Sequence, residues 1–125
     1  MVLQTPLCAQ AELVVSEDDT AVALGSGDVP VLATPRLVSL CEQAAAEALR
    51  PQLLEGQTSV GFRVEITHLV PVRVGGRVTA AAAFERADGK RVVFNVSVTD
   101  RCGLVAAGKV VRVVVDTGTF MEKAR

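Results

Sequence analysis

The chain has 125 residues, 50% of them hydrophobic, enough for one domain spanning residues 1–125 that folds without disulfides or a structural metal. Thirteen Lys and Arg against fourteen Asp and Glu, scattered in both signs, leave no basic stripe to neutralise phosphates, which excludes nucleic-acid and anionic-membrane partners. Four Phe with no Trp or Tyr exclude aromatic stacking platforms, so any ligand is gripped by aliphatic walls and polar points.

The opening MVLQTPLCAQAELVV has no basic n-region, and Gln4, Gln10 and Glu12 interrupt its apolar stretch. No run of about 18 apolar residues follows, so neither an export signal nor a membrane span is expected. Residues 9–15 and 20–24 read as short extended segments around the acidic turn Ser16-Glu17-Asp18-Asp19, and residues 25–33, with two Gly and Pro30, as a loop. Thr34-Pro35 then opens the one convincing helix, with Thr34 as N-cap and Pro35 at the first helical position. Its Ala-rich apolar run reaches Leu49 before Arg50-Pro51 stops it. From Ser59 the pattern turns to period two, with Val60, Phe62, Val64, Ile66, His68 and Val70 on one face of a long strand. Residues 71–76 turn the chain, and three further strands are expected at 77–86, 91–100 and 104–115. Asp88-Gly89 suits a tight hairpin between the first two, and Gly103 ends the next turn. A strand, a helix and then four short-looped strands read as a meandering antiparallel sheet with one helix on one face, the α+β class. The helix is apolar over most of its circumference, so the sheet must curl around it, which is the hotdog arrangement.

Two side chains break the faces expected to meet. On a helical wheel Arg36, Ser39, Gln43, Glu47 and Arg50 form the wet stripe, whereas Glu42 lies about 60° beyond its edge, on the border of the buried side. A carboxylate there either reaches out to water or a cation, or meets a partner. His68, on the strand face that packs toward the helix, is the candidate partner, its own bland alternative being a hydrogen-bonded core histidine. Burial raises a carboxylate pKa and lowers an imidazole pKa while their attraction opposes both, which keeps either group near neutral for proton exchange. Thr34 has a structural role as N-cap and also stands beside the unpaired first-turn amides, where the helix dipole favours an acyl oxygen gaining negative charge. Eight residues separate Thr34 from Glu42, so both can border one groove. Together the three supply what ester-type hydrolysis needs, donors at the carbonyl oxygen and a base for water or an attacking carboxylate.

Other chemistries have little purchase. Cys8, Cys41 and Cys102 are far apart without a C-x-x-C pair, and His68 is the one histidine, so a zinc module or disulfide framework is not expected. The unpatterned cysteines fit a reducing compartment, the cytoplasm, with Cys41 packing in the apolar helix face. No Ser or Cys sits in a G-x-S-x-G elbow, and there is no P-loop or G-x-G-x-x-G. Gly75-Gly76 reads as a plain turn or as a side-chain-free loop admitting an extended ligand arm.

The runs LATPRLVSLCEQAAAEAL, TSVGFRVEITHLVPVRVGG and AAGKVVRVVVD resemble the hotdog thioesterase superfamily, specifically its fluoroacetyl-CoA thioesterase-like group, from about Ala9 to Val115. The most specific part is a Thr, a Glu eight residues on, and a His twenty-six residues later in a Thr-His strand ending. The resemblance implies that Thr34, Glu42 and His68 form the catalytic constellation, acting on acyl-CoA thioesters without metal or added cofactor, in a homodimer with active sites at the interface. It also implies a ligand-contacting glycine after the histidine, matched by Gly75 or Gly76. Coenzyme A phosphates make Arg36, Arg73, Arg77 and Lys109 candidate contacts, Arg36 and Arg77 foremost. The fluoroacetate-hydrolysing member carries an aromatic gate before the helix, whereas residues 22–33 here hold no aromatic, which points to a small or medium acyl group in an aliphatic pocket.

Rival readings are a non-catalytic acyl-CoA or small-ligand binding protein and a structural oligomer packed through Thr79-Ala80-Ala81-Ala82-Ala83. A hydratase would need an acid and His68 bracketing a double bond, but Glu65, three residues from His68 on a strand, points to the opposite face.

Overall fold

The computed structural model describes residues 7–125. Its five strands are β1 (Cys8–Val14), β2 (Gln57–His68), β3 (Arg77–Asp88), β4 (Arg91–Asp100) and β5 (Gly103–Asp116). All pair antiparallel in one sheet of order β1-β3-β4-β5-β2. The helices are α1 (Ala21–Leu24), α2 (Thr34–Leu49) and α3 (Thr117–Glu122). The first six residues, including Gln4 and the start of the opening segment read above, lie outside the described part. No helix among the described residues is long and apolar enough to cross a membrane.

The expected α2 forms over residues 34–49 because its apolar positions recur at three- and four-residue spacing. Leu37, Leu40, Cys41, Ala44, Ala45, Ala48 and Leu49 are buried against the sheet. The sheet answers with Val78, Ala80 and Ala82 of β3, Phe94, Val96 and Val98 of β4, and Val110 of β5. Small residues on both sides let the helix lie close, and interior packing excludes water from the seam. Cys41 sits wholly inside this layer, and burial pushes its thiol up to about 11, so it acts as a packing residue.

The strands at residues 77–88, 91–100 and 103–116 are the expected meander, with Gly89 at φ 62° in the two-residue turn that joins β3 to β4. The four-strand meander needs correction. β2 does not pair with β3 and joins β5 at the far edge of the sheet. Its alternation is also interrupted. A bulge between Gly61 and Arg63 leaves Phe62 outside the ladder, more than half exposed, with the Arg91 guanidinium 4.4 Å from the ring centroid.

Of residues 20–24, expected to be extended, Thr20 is extended and bridges Leu32, whereas residues 21–24 are helical. A 3-10 turn, Glu17–Asp19, leads into α1, whose start is capped by Thr20 Oγ1 accepting from the Ala23 amide at 3.2 Å. Asp19 ties this corner to α2. Its carboxylate accepts from the Ser16 amide at 2.8 Å, the Ser16 hydroxyl at 2.9 Å and Arg36 Nε at 3.0 Å. The amide bond, then the hydroxyl and the Arg36 charge, hold the Asp19 carboxyl below its ordinary 3.8. A depressed folded pKa contributes stability that is present above 3.8 and lost as pH falls through the folded value. Asp19→Asn is therefore expected to melt below wild type at neutral pH, with the gap closing in acid. Melting curves of both proteins across pH 2–7 check this, and a gap independent of pH would contradict it.

Candidate active site

Thr34 and His68 meet. The Thr34 hydroxyl and His68 Nδ1 are 2.8 Å apart, and His68 Nε2 lies 3.0 Å from the Val70 carbonyl. A carbonyl only accepts, so Nε2 carries the proton in the neutral ring. Nδ1 is then the acceptor, and the threonine donates to it. This corrects the capping role. α2 begins at Thr34 itself, its N-cap is Ala33, and no side chain caps the first turn. The hydroxyl is instead directed across the helix-to-sheet seam to the end of β2. Pro35 accordingly stands one position further into the helix than expected, at a place where its missing N–H still costs no hydrogen bond.

Both side chains border a hollow of about 310 Å³ whose other walls include Val29, Val31, Leu32, Leu69 and Val70. Apart from Ser26, Thr34 and His68 its side chains are aliphatic, with no Phe, Tyr or Trp among the described lining residues.

Glu42 lies elsewhere on α2, beside a second hollow of about 480 Å³ that shares Pro35 with the first. Its Oε2 is 3.1 Å from Arg112 Nη1. Arg112 is buried, the one buried charged residue among those described, and is held on all sides: Nε donates to Ser59 Oγ at 2.9 Å and Nη2 to the Ser59 carbonyl at 2.8 Å. Burial lowers the Arg112 pKa, and the Glu42 charge opposes that shift. Gly61 closes the arrangement, because a Cβ there would run into the Glu42 carboxylate. Glu42 Oε1 makes no hydrogen bond to a described residue.

Within one chain Glu42 and His68 do not meet. Gly61, beside Glu42, pairs with Arg112, and His68 pairs with Ala106, six residues away along β5. At about 3.3 Å per residue that is roughly 20 Å of strand. The expected meeting across a single chain's seam does not occur, and the two side chains stand apart along β2.

Of the other candidates, Gly75, Gly76 and Arg77 line a third hollow, of about 790 Å³, which shares Pro71 with the Thr34–His68 hollow. Arg36 places Nε on Asp19, and Lys109 closes on Glu85 at 2.8 Å. Sequence reasoning missed Arg112, Ser59 and Gly61. The available signal was Arg112, a lone charge inside the run Val110-Val111-Arg112-Val113, an interruption of the same kind that drew attention to Glu42.

A curled antiparallel sheet wrapping one long helix, with a threonine–histidine pair at the helix start, defines a hotdog-fold protein of the thioesterase type. Residues 15–118 match the fluoroacetyl-CoA-specific thioesterase family, FlK, and the chain belongs to that family of thioester hydrolases. It is 32% identical over 95 residues to the fluoroacetyl-CoA thioesterase of Streptantibioticus cattleyicolor, covering 76% of this chain and 68% of that protein. A crystal structure of a mutant of the fluoroacetyl-CoA-specific thioesterase in complex with fluoroacetate and CoA superposes with a TM-score of 0.86 at 26% identity, over 94% of this chain and 99% of that one. A hot-dog-like protein from Thermanaerovibrio acidaminovorans superposes at 0.87 with 33% identity, over 94% and 87% of the two chains.

Proposed function

We propose that the protein hydrolyses acyl-CoA thioesters carrying a small or medium aliphatic acyl group, and that it does so as a homodimer in the cytoplasm with each active site shared between subunits. The observation that carries this reading is the separation of the two half-sites along β2. The outer edge of β2 pairs with no strand among the described residues of its own chain, and an unpaired strand edge is a ready template for a second copy. If two β2 edges pair antiparallel about a two-fold axis at Glu65, with the bulged Phe62 adding no step, His68 of one copy lies opposite Gly61 of the partner subunit. Glu42 of the partner subunit, which packs on that glycine, then arrives beside His68 and Thr34. The relative crystallised with fluoroacetate and CoA supports the choice of thioester.

In this arrangement the thioester carbonyl sits at the start of α2, where the helix dipole favours the developing oxyanion. The partner's Glu42, held by the ion pair to its arginine, offers its unbonded oxygen to a water and takes the proton as that water attacks the carbonyl carbon. His68 controls the threonine. When Nδ1 is unprotonated the Thr34 hydroxyl donates to it, and when His68 gains a proton Nδ1 donates instead, turning the hydroxyl proton toward the oxyanion. Collapse breaks the C–S bond, and the thiolate leaves with the proton held by the carboxyl or the imidazole. Atoms balance as acyl-CoA plus water giving free acid plus CoA thiol.

A second reading has one observation in its favour: Thr34, His68 and the Val70 carbonyl are in hydrogen-bonded sequence, the order of a nucleophile, its base and the base's orienting group. There Thr34 would carry the acyl group before water releases it. On either reading Gly75, Gly76 and Arg77 lie on the path of the CoA arm, and Arg36 keeps its terminal nitrogens for a substrate oxygen.

The test is free-thiol release from acetyl-, fluoroacetyl-, butyryl- and hexanoyl-CoA. The expected result is turnover with the highest kcat/KM on an unfluorinated aliphatic ester. Binding without thiol release from any of them would assign the protein to the non-catalytic class, and an acyl-threonine trapped by mass spectrometry would favour the second reading.

A further inference from the structure

A further hollow, of about 390 Å³, lies between the end of β5 and α3 and shares no lining residue with the three described above. Val113 and Val115 alternate with Val114, which belongs to the core. They therefore point away from α2 and floor this hollow on the other face of the sheet. The Phe120 side chain, 39% exposed, forms a wall. The hollow is built into the fold, because α3 is fixed at its start. Asp116 Oδ1 accepts from the Thr119 amide at 2.9 Å, and the Thr117 amide donates to the Gly56 carbonyl at 2.9 Å. On the other side the Lys90 carbonyl accepts from the Val114 amide at 2.9 Å and sets the β3–β4 turn against β5. Two cations border the space. Lys90 comes from that turn and Lys123 from the C-cap of α3, so separate segments each bring an ammonium group to an aliphatic surface. Neither closes on a carboxylate within 4 Å among the described residues, whereas Lys109 does so on Glu85. Asp116 is the one acid in the described lining; the Thr119 amide engages it first, and Lys90 acts on it at longer range.

An apolar floor rimmed by ammonium groups matches one ligand chemistry, a hydrocarbon chain ending in an anion. We propose that this hollow binds a free aliphatic carboxylate, the chemical class of the acid that acyl-CoA hydrolysis releases. The choice of occupant rests on the thioesterase reading, whereas the site rests on residues which that reading does not use. The chain lies over Val113 and Val115 against Phe120, removing apolar surface from water. The carboxylate meets Lys90 and Lys123 in charge-assisted hydrogen bonds. An ammonium on a flexible stem suits a single carboxylate at the rim, where the fixed fork of an arginine is not needed. Asp116 and the fixed start of α3 shape the space before a ligand arrives, which lowers the ordering cost of binding. Acid bound here does not occupy the place of the thioester, because no lining residue is common to this hollow and the one containing Thr34 and His68.

The probes are acetate, butanoate, hexanoate and octanoate, with hexylamine as the cationic control, titrated below micelle formation. Binding is followed by calorimetry and by NMR, where the methyl signals of Val113 and Val115 report this hollow and those of Val29 and Val31 report the one at Thr34 and His68. Wild type is expected to show shifts at Val113 and Val115, affinity rising about fourfold per added methylene until the hollow is filled, and a preference for hexanoate over hexylamine. Lys90 and Lys123 are exposed, so Lys90→Glu/Lys123→Glu leaves the core untouched. That variant is expected to bind hexanoate about 10-fold more weakly at this hollow and to prefer hexylamine, while releasing thiol from acyl-CoA at the wild-type rate. Phe120→Ala weakens both probes in either charge background. An unchanged order of preference in the charge-reversed protein overturns the proposal, as does an affinity indifferent to chain length. If hexanoate shifts only the signals around Thr34 and His68, this site falls while the thioesterase reading stands. If the acid binds here and no acyl-CoA is cleaved, the site stands and that reading falls.

Discussion

His68→Ala and Glu42→Gln each lower thioester turnover by about 10²- to 10⁴-fold, the usual size of lost general acid–base help, while the two inactive proteins mixed together recover activity. The recovery follows from the proposed dimer. A site built from Thr34 and His68 of one chain and Glu42 of the partner subunit places both substitutions of a mixed dimer in one of its two sites and leaves the other intact. Random reassortment of equal amounts puts half the chains in mixed dimers, so roughly a quarter of wild-type turnover returns. The choice of Gln matters. Its amide oxygen still accepts from Arg112 Nη1, so the buried guanidinium keeps a partner and the fold is retained, as a melting curve verifies. The measurement is acyl-CoA hydrolysis before and after the pair is unfolded together and refolded. A mixture as inactive as its components would place Glu42 and His68 in a single chain's site and remove the case for a shared one. Full activity in either single variant would remove the residues from the mechanism altogether.

How much of this was legible in the sequence depends on the range over which each feature is decided. The bounds of α2 are local. Pro35 is tolerated only in the first turn, Arg50-Pro51 stops the run, and the apolar spacing names the buried face, so residues 34–49 were readable throughout. The faces and turns of β3, β4 and β5 are local too. Period two and the glycines at 89 and 103 mark them, apart from the register shifts at Phe84/Arg86 and Val98/Thr99. The neighbour of β2 is not local. Alternation says which side chains face the helix, but pairing with β5 and not β3 is a long-range choice that nothing inside residues 57–68 encodes. The bulge at Phe62 is similarly silent, since one inserted residue preserves an apolar letter while moving it out of register. Residues 20–24 failed for a different reason. Four residues hold little more than one helical turn, too few for periodicity to distinguish helix from strand, although Thr20 and Gly25 were usable as cap signals.

For the candidate site, the breaks in pattern were legible and their partners were not. Glu42 and His68 each broke an apolar face and could be singled out from one-dimensional patterns. Their separation could not, because it depends on the β2–β5 register and on which β2 edge stays open. The N-cap rule for Thr34 failed against a long-range competitor. The Thr34 hydroxyl, which would otherwise have accepted from a first-turn amide, instead donates to His68, 34 residues away. A side chain diverted from the role its local sequence prescribes is itself a mark of function, because the fold forgoes a cap's stabilisation to keep the contact.

Two glycines of the β2–β5 pair separate function from stability. A Cβ at residue 61 would meet the Glu42 carboxylate, and a Cβ at residue 108 would meet the Glu65 carbonyl and Ile66 Cα, which are main chain. The end of a glutamate side chain can swing aside, whereas a strand cannot move without opening its ladder. Gly61→Ala is therefore expected to fold with a modest loss, about 1–3 kcal/mol for the polar contacts loosened around Arg112. Its turnover falls much further, by roughly 10²-fold, because the carboxylate is no longer where the water must be. Gly108→Ala is expected to cost about 3 kcal/mol or more by forcing β2 from β5, lowering the melting temperature by about 12 °C or more for a domain of this size. Parallel melting curves and kcat measurements on the two variants check the distinction. If Gly61→Ala hydrolyses acyl-CoA at the wild-type rate, Glu42 is not held for catalysis by Arg112 and the packing on Gly61. If it instead melts as low as Gly108→Ala, residue 61 serves the sheet and not the carboxylate. Low turnover with a near-native melt would leave the position of one glutamate, set by a buried arginine and the missing side chain of a glycine, as the cause.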